Sequence, residues 1–166
     1  MRIRSVVAWL AFIAIAAGSP ASAQAHPNFS GIWTLDAGKT VIEGQGAAPT
    51  AGSYAISHRG DTLTVDAEMT SEQAGTVKSH TIRGTDGKVW KNTLPVGGTD
   101  TEVSSILSWE SGTLVVRSSL MVQEMAVEQL DRWTLSSDGK TLSVVRSITA
   151  MGQEMGSTTM FFAKKS

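Results

Sequence analysis

Cysteine is absent from all 166 residues. The chain can therefore form no disulfide, no thiolate metal cage and no lipid-modified N-terminal cysteine. Histidine is scarce, with three in all, and only His58 and His80 fall in the body of the domain. Nucleophile–base constellations are correspondingly few. No Gly-X-Ser-X-Gly, HExxH or phosphate-binding loop occurs. The carboxylates are scattered, and no pair has a spacing that marks acid–base work. A hydrolase or isomerase built on His80 and an acid has nothing in the sequence that calls for it, so neither a catalytic residue nor a cofactor is expected.

Long apolar runs are also missing once the N-terminus is passed. At the N-terminus, Arg2 and Arg4 precede an uncharged apolar segment from Val6 to Ala17, followed by Gly18, Ser19, Pro20 and an Ala-X-Ala pattern at Ala21 and Ala23. That is the layout of a secretory signal peptide, and the segment is short of the ~20 residues a retained membrane helix needs. The expected division is a signal peptide over 1–23 and one domain over 24–166, exported to the periplasm or the medium. Removing Arg2 and Arg4 moves the formal net charge from −1 to −3. This balance offers no electrostatic reason to bind nucleic acid or an anionic membrane. An exported domain of this size without disulfides depends on its core.

What is abundant is strand and turn chemistry. Residues 37–53, rich in Gly, Ala and Thr, read as a long loop or flap holding a short strand near Thr40–Glu43. From Tyr54 onward, short runs of Val, Ile, Leu, Thr and Trp alternate with the turn signals "RGD" (59–61), "TDGK" (85–88), "ESG" (110–112) and "SDGK" (137–140). The predicted strands are 30–36, 54–59, 62–69, 76–83, 88–94, 102–109, 113–121, 127–135, 140–149 and 157–163. One continuous meander of this kind would leave costly edges unless it closes on itself. The expected fold is thus all-β, an antiparallel up-and-down barrel of about 8–10 strands. The segment "MVQEMAVEQL" (121–130) also suits a helix. However, "GTLVVRSSLMVQEM" (112–125) is echoed by "KTLSVVRSITAMGQEM" (140–155), and a pair of hairpin tips explains both copies.

The opening "SGIWTLDAGKT" carries a resemblance. Gly31, Trp33, Leu35, Asp36, Lys39 and Thr40 match the "GxWxLDxxKS" start of lipocalin-like domains in small exported bacterial proteins of the calycin superfamily. The resemblance implies that Gly31 and Trp33 close one barrel end, with a late-strand arginine, Arg132 or Arg146, packed on the indole. The superfamily's second motif reaches only Thr99-Asp100-Thr101, without its aromatic. Avidin-like barrels also start Gly-X-Trp, and "VWKN" (89–92) is similar to them, but the aromatics of a biotin site are not found.

A barrel of this size either fills with side chains or holds one small molecule. Alternation nominates Ile56, Leu63, Val65, Trp90, Leu107, Trp109, Val116, Trp133, Val144 and Met160 as inward. Polar residues forced onto apolar faces add Arg146, Asp131, His58 and His80. A buried arginine must be paired. Arg146 would meet Asp131, a ligand carboxylate, or Trp33 after a register shift. The expected ligand-binding residues are Arg146, Trp90, Trp109, Trp133 and His80, with Met121 and Met151 as a soft rim at the mouth. The same methionines, with Met125 and Met155, could instead form a thioether site for Cu(I). Cleavage after Ala23 would also place His26 third in the mature chain, where amine, amide and imidazole nitrogens suit Cu(II) or Ni(II). Three functions follow: a carrier of a small apolar or amphipathic molecule, a filled structural or interaction barrel, and a copper-handling protein.

Overall fold

Two-residue turns with both residues at positive φ set the shape of this chain. Gly97-Gly98, Ser111-Gly112, Gln123-Glu124 and Met151-Gly152 each take that conformation. It matches the twist of tight hairpins, so each turn sends the chain straight back along its own strand. The computed structural model describes residues 26–44 and 48–166. The expected signal peptide and the two residues that would precede His26 at the mature terminus lie outside the described residues.

The strands are β1 (Gly31–Leu35), β2 (Val41–Gly44), β3 (Pro49–Arg59), β4 (Thr62–Ser71), β5 (Gly75–Gly84), β6 (Val89–Val96), β7 (Thr99–Glu110), β8 (Thr113–Val122), β9 (Met125–Leu135), β10 (Thr141–Ala150) and β11 (Gln153–Lys164). They form one antiparallel sheet in the order β5-β4-β3-β1-β11-β10-β9-β8-β7-β6, with β2 added to β11. All ten predicted strands are present. The predicted loop over 37–53 is more ordered than composition suggests. It holds a 3-10 turn over Ala37–Lys39, strand β2, and the first residues of β3, which starts at Pro49 rather than Tyr54.

The helix alternative over 121–130 is replaced by the β8–β9 hairpin, whose turn is Gln123-Glu124. Good helix formers occupy these positions, but cross-strand pairing of Val122 with Met125 decides the local structure. In the echoed copy the turn sits earlier, at Met151-Gly152, so that Gln153 and Glu154 already belong to β11. The glycine accepts positive φ without steric cost and draws the turn to itself. Similar letters therefore play different parts in the two tips.

The barrel is closed everywhere except between β5 and β6, which end the sheet order and share no backbone ladder. Across that seam the Asn92 amide does the work of a peptide group. Its Oδ1 accepts from Ile82 N–H at 2.9 Å and its Nδ2 donates to the Ile82 carbonyl at 3.1 Å. Near the turn, Trp90 lies over Gly84, where a Cβ would sit 2.6 Å from the indole nitrogen.

The end of the barrel where β1 starts is solid. Trp33, Phe29, Phe162, Leu63, Leu107 and Leu114 are fully buried there. Trp33 Nε1 donates to the Phe29 carbonyl at 2.9 Å. Phe29 meets Trp133 edge-on, and Tyr54 stacks between Trp133 and Phe162, with centroids 5.7 and 4.4 Å away. Gly31 has a clear physical role: its φ is +143°, and a Cβ would stand 2.6 Å from Lys164 Cε. The glycine leaves room for Lys164, whose Nζ lies 5.2 Å from the centre of the Trp33 ring. The late-strand cation on Trp33 is thus Lys164, neither Arg132 nor Arg146. Arg132 is on the outer face, bridged to Glu110 at 3.0 Å.

Candidate functional site

The opposite end is hollow. Above the Tyr54–Trp133 layer lies a cavity of about 240 Å³, walled by β3, β4, β5, β6, β9 and β10. Val65, Ala67, Met69, Val77 and Leu94 give it an apolar side, and Ser79, Thr81, Arg83, Gln129, Asp131 and Arg146 a polar one. A second space of about 300 Å³ adjoins it towards the end where β3 begins, and the two share Met69, Val77 and Arg146. Pro49, Ile148 and Gly156 line this outer part, so the interior opens at the end away from Trp33. In volume the pair falls within the range of small-molecule sites.

Arg146 and Asp131 are directly paired across β9 and β10, and alternation turns both into the barrel. Arg146 Nε donates to Asp131 Oδ1 at 2.9 Å and Nη2 to Oδ2 at 2.8 Å, a bidentate pair. Gln129 Nε2 adds a third donor to Oδ2 at 3.1 Å. Both Asp131 oxygens are thereby engaged, and its side chain is only 5% exposed. Burial alone would depress the Arg146 guanidinium, but the Asp131 charge and hydrogen bonds outweigh it and hold the pKa above the usual value. Burial, helped by the Asp131 charge and opposed by Arg146, pushes the Tyr54 phenol up. Of the fates considered for Arg146, the structure selects the ion pair with Asp131. The register shift on β10 comes only after it, at Ile148/Thr149 against β11.

Arg83 enters the same cavity from β5. Desolvation lowers its pKa, with attraction to Asp131 and repulsion from Arg146 acting in opposite senses. No carboxylate pairs with it among the described residues, and its buried Nε has no partner. The Trp133 indole Nε1 is likewise buried and unpartnered.

The other predicted ligand residues are placed elsewhere. Trp133 forms the cavity floor, but Trp109 is at the solid end, where it stacks on His26 at 4.3 Å and on Phe29 at 5.9 Å. There it borders a recess of about 220 Å³ with His58 and Asp61. His58 sits inside, with Nδ1 accepting from Phe29 N–H at 3.4 Å. Burial holds its pKa below the ordinary value, with Asp61 opposing and His26 reinforcing the shift. Trp90 closes the seam, its indole nitrogen 3.4 Å from Asp86 Oδ1. His80 points outward, 57% exposed and 2.6 Å from Asp66, because β5 turns Ser79, Thr81 and Arg83 inward instead. Met121 and Met151 are 57% and 80% exposed. Both stand on neighbouring tips at the open end, tied by Met151 N–H to the Ala126 carbonyl at 3.3 Å. The methionines that line the interior space are Met69 and, in its outer part, Met160.

No protein-family model matches the chain, and no curated protein is significantly similar to it. Solved structures do match. A secretory abundant heat soluble protein of Ramazzottius varieornatus superposes with a TM-score of 0.52 at 11% identity, covering 82% of this chain and 94% of that one. The fluorescent protein UnaG gives 0.52 at 13% identity, over 82% and 97% of the two chains. Secretory abundant heat soluble protein 4 of Ramazzottius varieornatus gives 0.52 at 13%, over 86% and 99%. At such identities the likeness concerns architecture alone. With its ten-stranded, nearly closed antiparallel meander, the chain has the fold of a calycin-like β-barrel.

Proposed function

We propose that this protein is an exported carrier that holds a small apolar or amphipathic molecule inside its barrel. The observation that carries the reading is the interior space, two adjoining cavities that share Met69, Val77 and Arg146 between the Tyr54–Trp133 floor and the open end. A barrel serving only as a scaffold would fill that volume with side chains, as the core around Trp33, Phe29 and Phe162 does. Binding would come from burial of apolar ligand surface, about 0.8 kcal/mol per methylene. The polar wall would orient the molecule. Export rests on the Arg2/Arg4 charge, the apolar segment and the Ala21-X-Ala23 pattern.

Native mass spectrometry of protein purified from its own host tests this directly. A discrete added mass, displaced when an environment-sensitive dye enters the barrel, is the expected result. Repeated spectra of the bare chain, together with failure of any dye or alkyl probe to bind, would return the protein to the filled-barrel class. N-terminal sequencing of the exported form checks the cleavage after Ala23.

A further inference from the structure

Of the four non-glycine residues at positive φ among the described residues, three sit in two neighbouring tips of the open end. They are Gln123 and Glu124 between β8 and β9, and Met151 between β10 and β11. Asn-Gly holds such turns with less strain, so these side chains are kept against the preference of the backbone. Strain of that kind gathers at functional sites. Each tip presents a glutamate and two methionines. Met121 and Met125 are 57% and 37% exposed, Met151 and Met155 80% and 39%, with Glu124 and Glu154 exposed beside them. Met125 pairs with Val122 and Met121 with Ala126. Alternation therefore turns Met125 towards the mouth and Met121 outward, and a segment lying across the tips would meet both. Crowded apolar side chains on an outer surface mark a contact site.

Charge says what kind of partner fits. Glu43, Glu72, Asp100, Glu124 and Glu154 are exposed in or beside the turns of the open end, and no lysine or arginine stands in the turns at 72–74, 97–98, 123–124 and 151–152. None of the five carboxylates is in an ion pair among the described residues. The turns at the Trp33 end mix both signs instead, as where Lys88 meets Asp86 at 2.7 Å. An anionic lipid surface would be repelled by such a rim. We propose that the open end docks a basic amphipathic helix of a partner protein, with its apolar stripe on the four methionines and its cations on Glu124 and Glu154. The two tips are two strand spacings apart, about 9–10 Å, which two turns of helix span at about 1.5 Å per residue. Unbranched, polarizable methionine side chains adapt to such a stripe. The docking surface is the outside of the rim, so it stands apart from what the cavity holds.

Fluorescence anisotropy with a labelled peptide of about 18 leucines and lysines, patterned to give one apolar helical face, tests the proposal. Two control peptides accompany it: the same composition with the helical period scrambled, and the same pattern with glutamate for lysine. The patterned lysine peptide should bind, the scrambled one about tenfold or more weaker, and the glutamate one not detectably. Affinity should fall severalfold between about 0.05 and 0.5 M salt. Glu124→Gln with Glu154→Gln should weaken binding about three- to tenfold, and Met121→Ser with Met151→Ser should weaken it severalfold. Asp138→Asn, at the far end, should leave it unchanged. Equal binding of the patterned and scrambled peptides overturns the proposal, as does insensitivity to both double variants. Sedimentation showing the bare chain associating through this end, lost in the methionine variant, would assign the surface to a second copy instead. Equal binding of phosphatidylcholine vesicles, lost in the same variant, would assign it to lipid. The peptide comparison on the parent chain needs no variant, so a misfolded one does not blunt it.

Discussion

The two ends of this barrel solve opposite problems with the same strands. At the Trp33 end, aromatic rings from β1, β3, β9 and β11 and the Phe29 segment fill the interior, and the one indole nitrogen in the middle is satisfied by the chain itself. At the Met69 end, β3, β9 and β11 continue with smaller or charged inward residues beside β4, β5 and β10, and space remains between them. Tyr54 and Trp133 are the boundary layer. The lesson is that stability and binding are assigned to different lengths of each strand. They can therefore be disturbed separately.

The largest expected effects probe that division. Trp33→Ala removes the centre of the solid end and should destabilise the fold by about 3–5 kcal/mol in urea unfolding. In folded molecules at low temperature, alkyl-probe affinity should stay within about twofold, since the cavity does not touch Trp33 and each 1.4 kcal/mol is about tenfold. Asp131→Ala should cost a similar ~3–5 kcal/mol, but for the other reason: it strands Arg146 as a buried unpaired charge. Replacing both partners, Asp131→Leu with Arg146→Met, should recover much of that loss. Failure of the double variant to outlast the single one in urea would show that the pair contributes more than mutual neutralisation.

A smaller effect is expected at the mouth. Met69→Ala should lower stability by only about 1 kcal/mol, because part of this half-buried side chain faces empty space. Probe dissociation followed by stopped flow should quicken severalfold. The smallest effect comes from pH at the solid end. His58 has a folded pKa below its ordinary 6.5 because it is buried. The unfolded chain thus takes up the proton first as pH falls. His58 contributes its full stabilisation above about 6.5, and this is lost progressively as the pH is lowered towards the depressed folded value. Thermal unfolding between pH 8 and 5 should show the decline, and His58→Gln should flatten it.

Much of this architecture is legible in the residues, because period-two alternation and turn chemistry act locally. Leu142, Val144 and Arg146 share a face in the sequence and in the barrel, and Asp131 meets Arg146 across adjacent strands. Strand β5 is where local reading fails. In "TVKSHTIRG" the most apolar residue after Val77 is Ile82, which suggests His80 and Ile82 as the inner face. The true inner face is set by register: Leu63 pairs with Arg83 and Val65 with Thr81. Carrying the β4 pattern through the short turn at 72–74 would have turned Arg83 inward. The aromatic and methionine residues mislead for a related reason. Size and polarity do not say at which end of a strand a side chain lies, so Trp109, Met121 and Met151 look like ligand residues without bordering the cavity. The Lys164 contact with Trp33 depends on β1 lying beside β11, a pairing across the whole length of the chain.

The side-chain bridge at Ile82 has a consequence for how the molecule ages. A barrel avoids presenting sheet edges to other chains only while its ring is unbroken. Among the described residues, beside the packing of Trp90 on Gly84, the break between β5 and β6 is bridged by the Asn92 carboxamide, which must both donate and accept. Hydrolysis of that amide to aspartate exchanges a donor for a second acceptor facing the Ile82 carbonyl, and the bridge cannot re-form. Chains stored until Asn92 has deamidated, or made as Asn92→Asp, should elute earlier on size exclusion than fresh protein, as two newly bared strands find partners in other molecules. The durability of this container depends in part on the chemistry of a single amide in its wall.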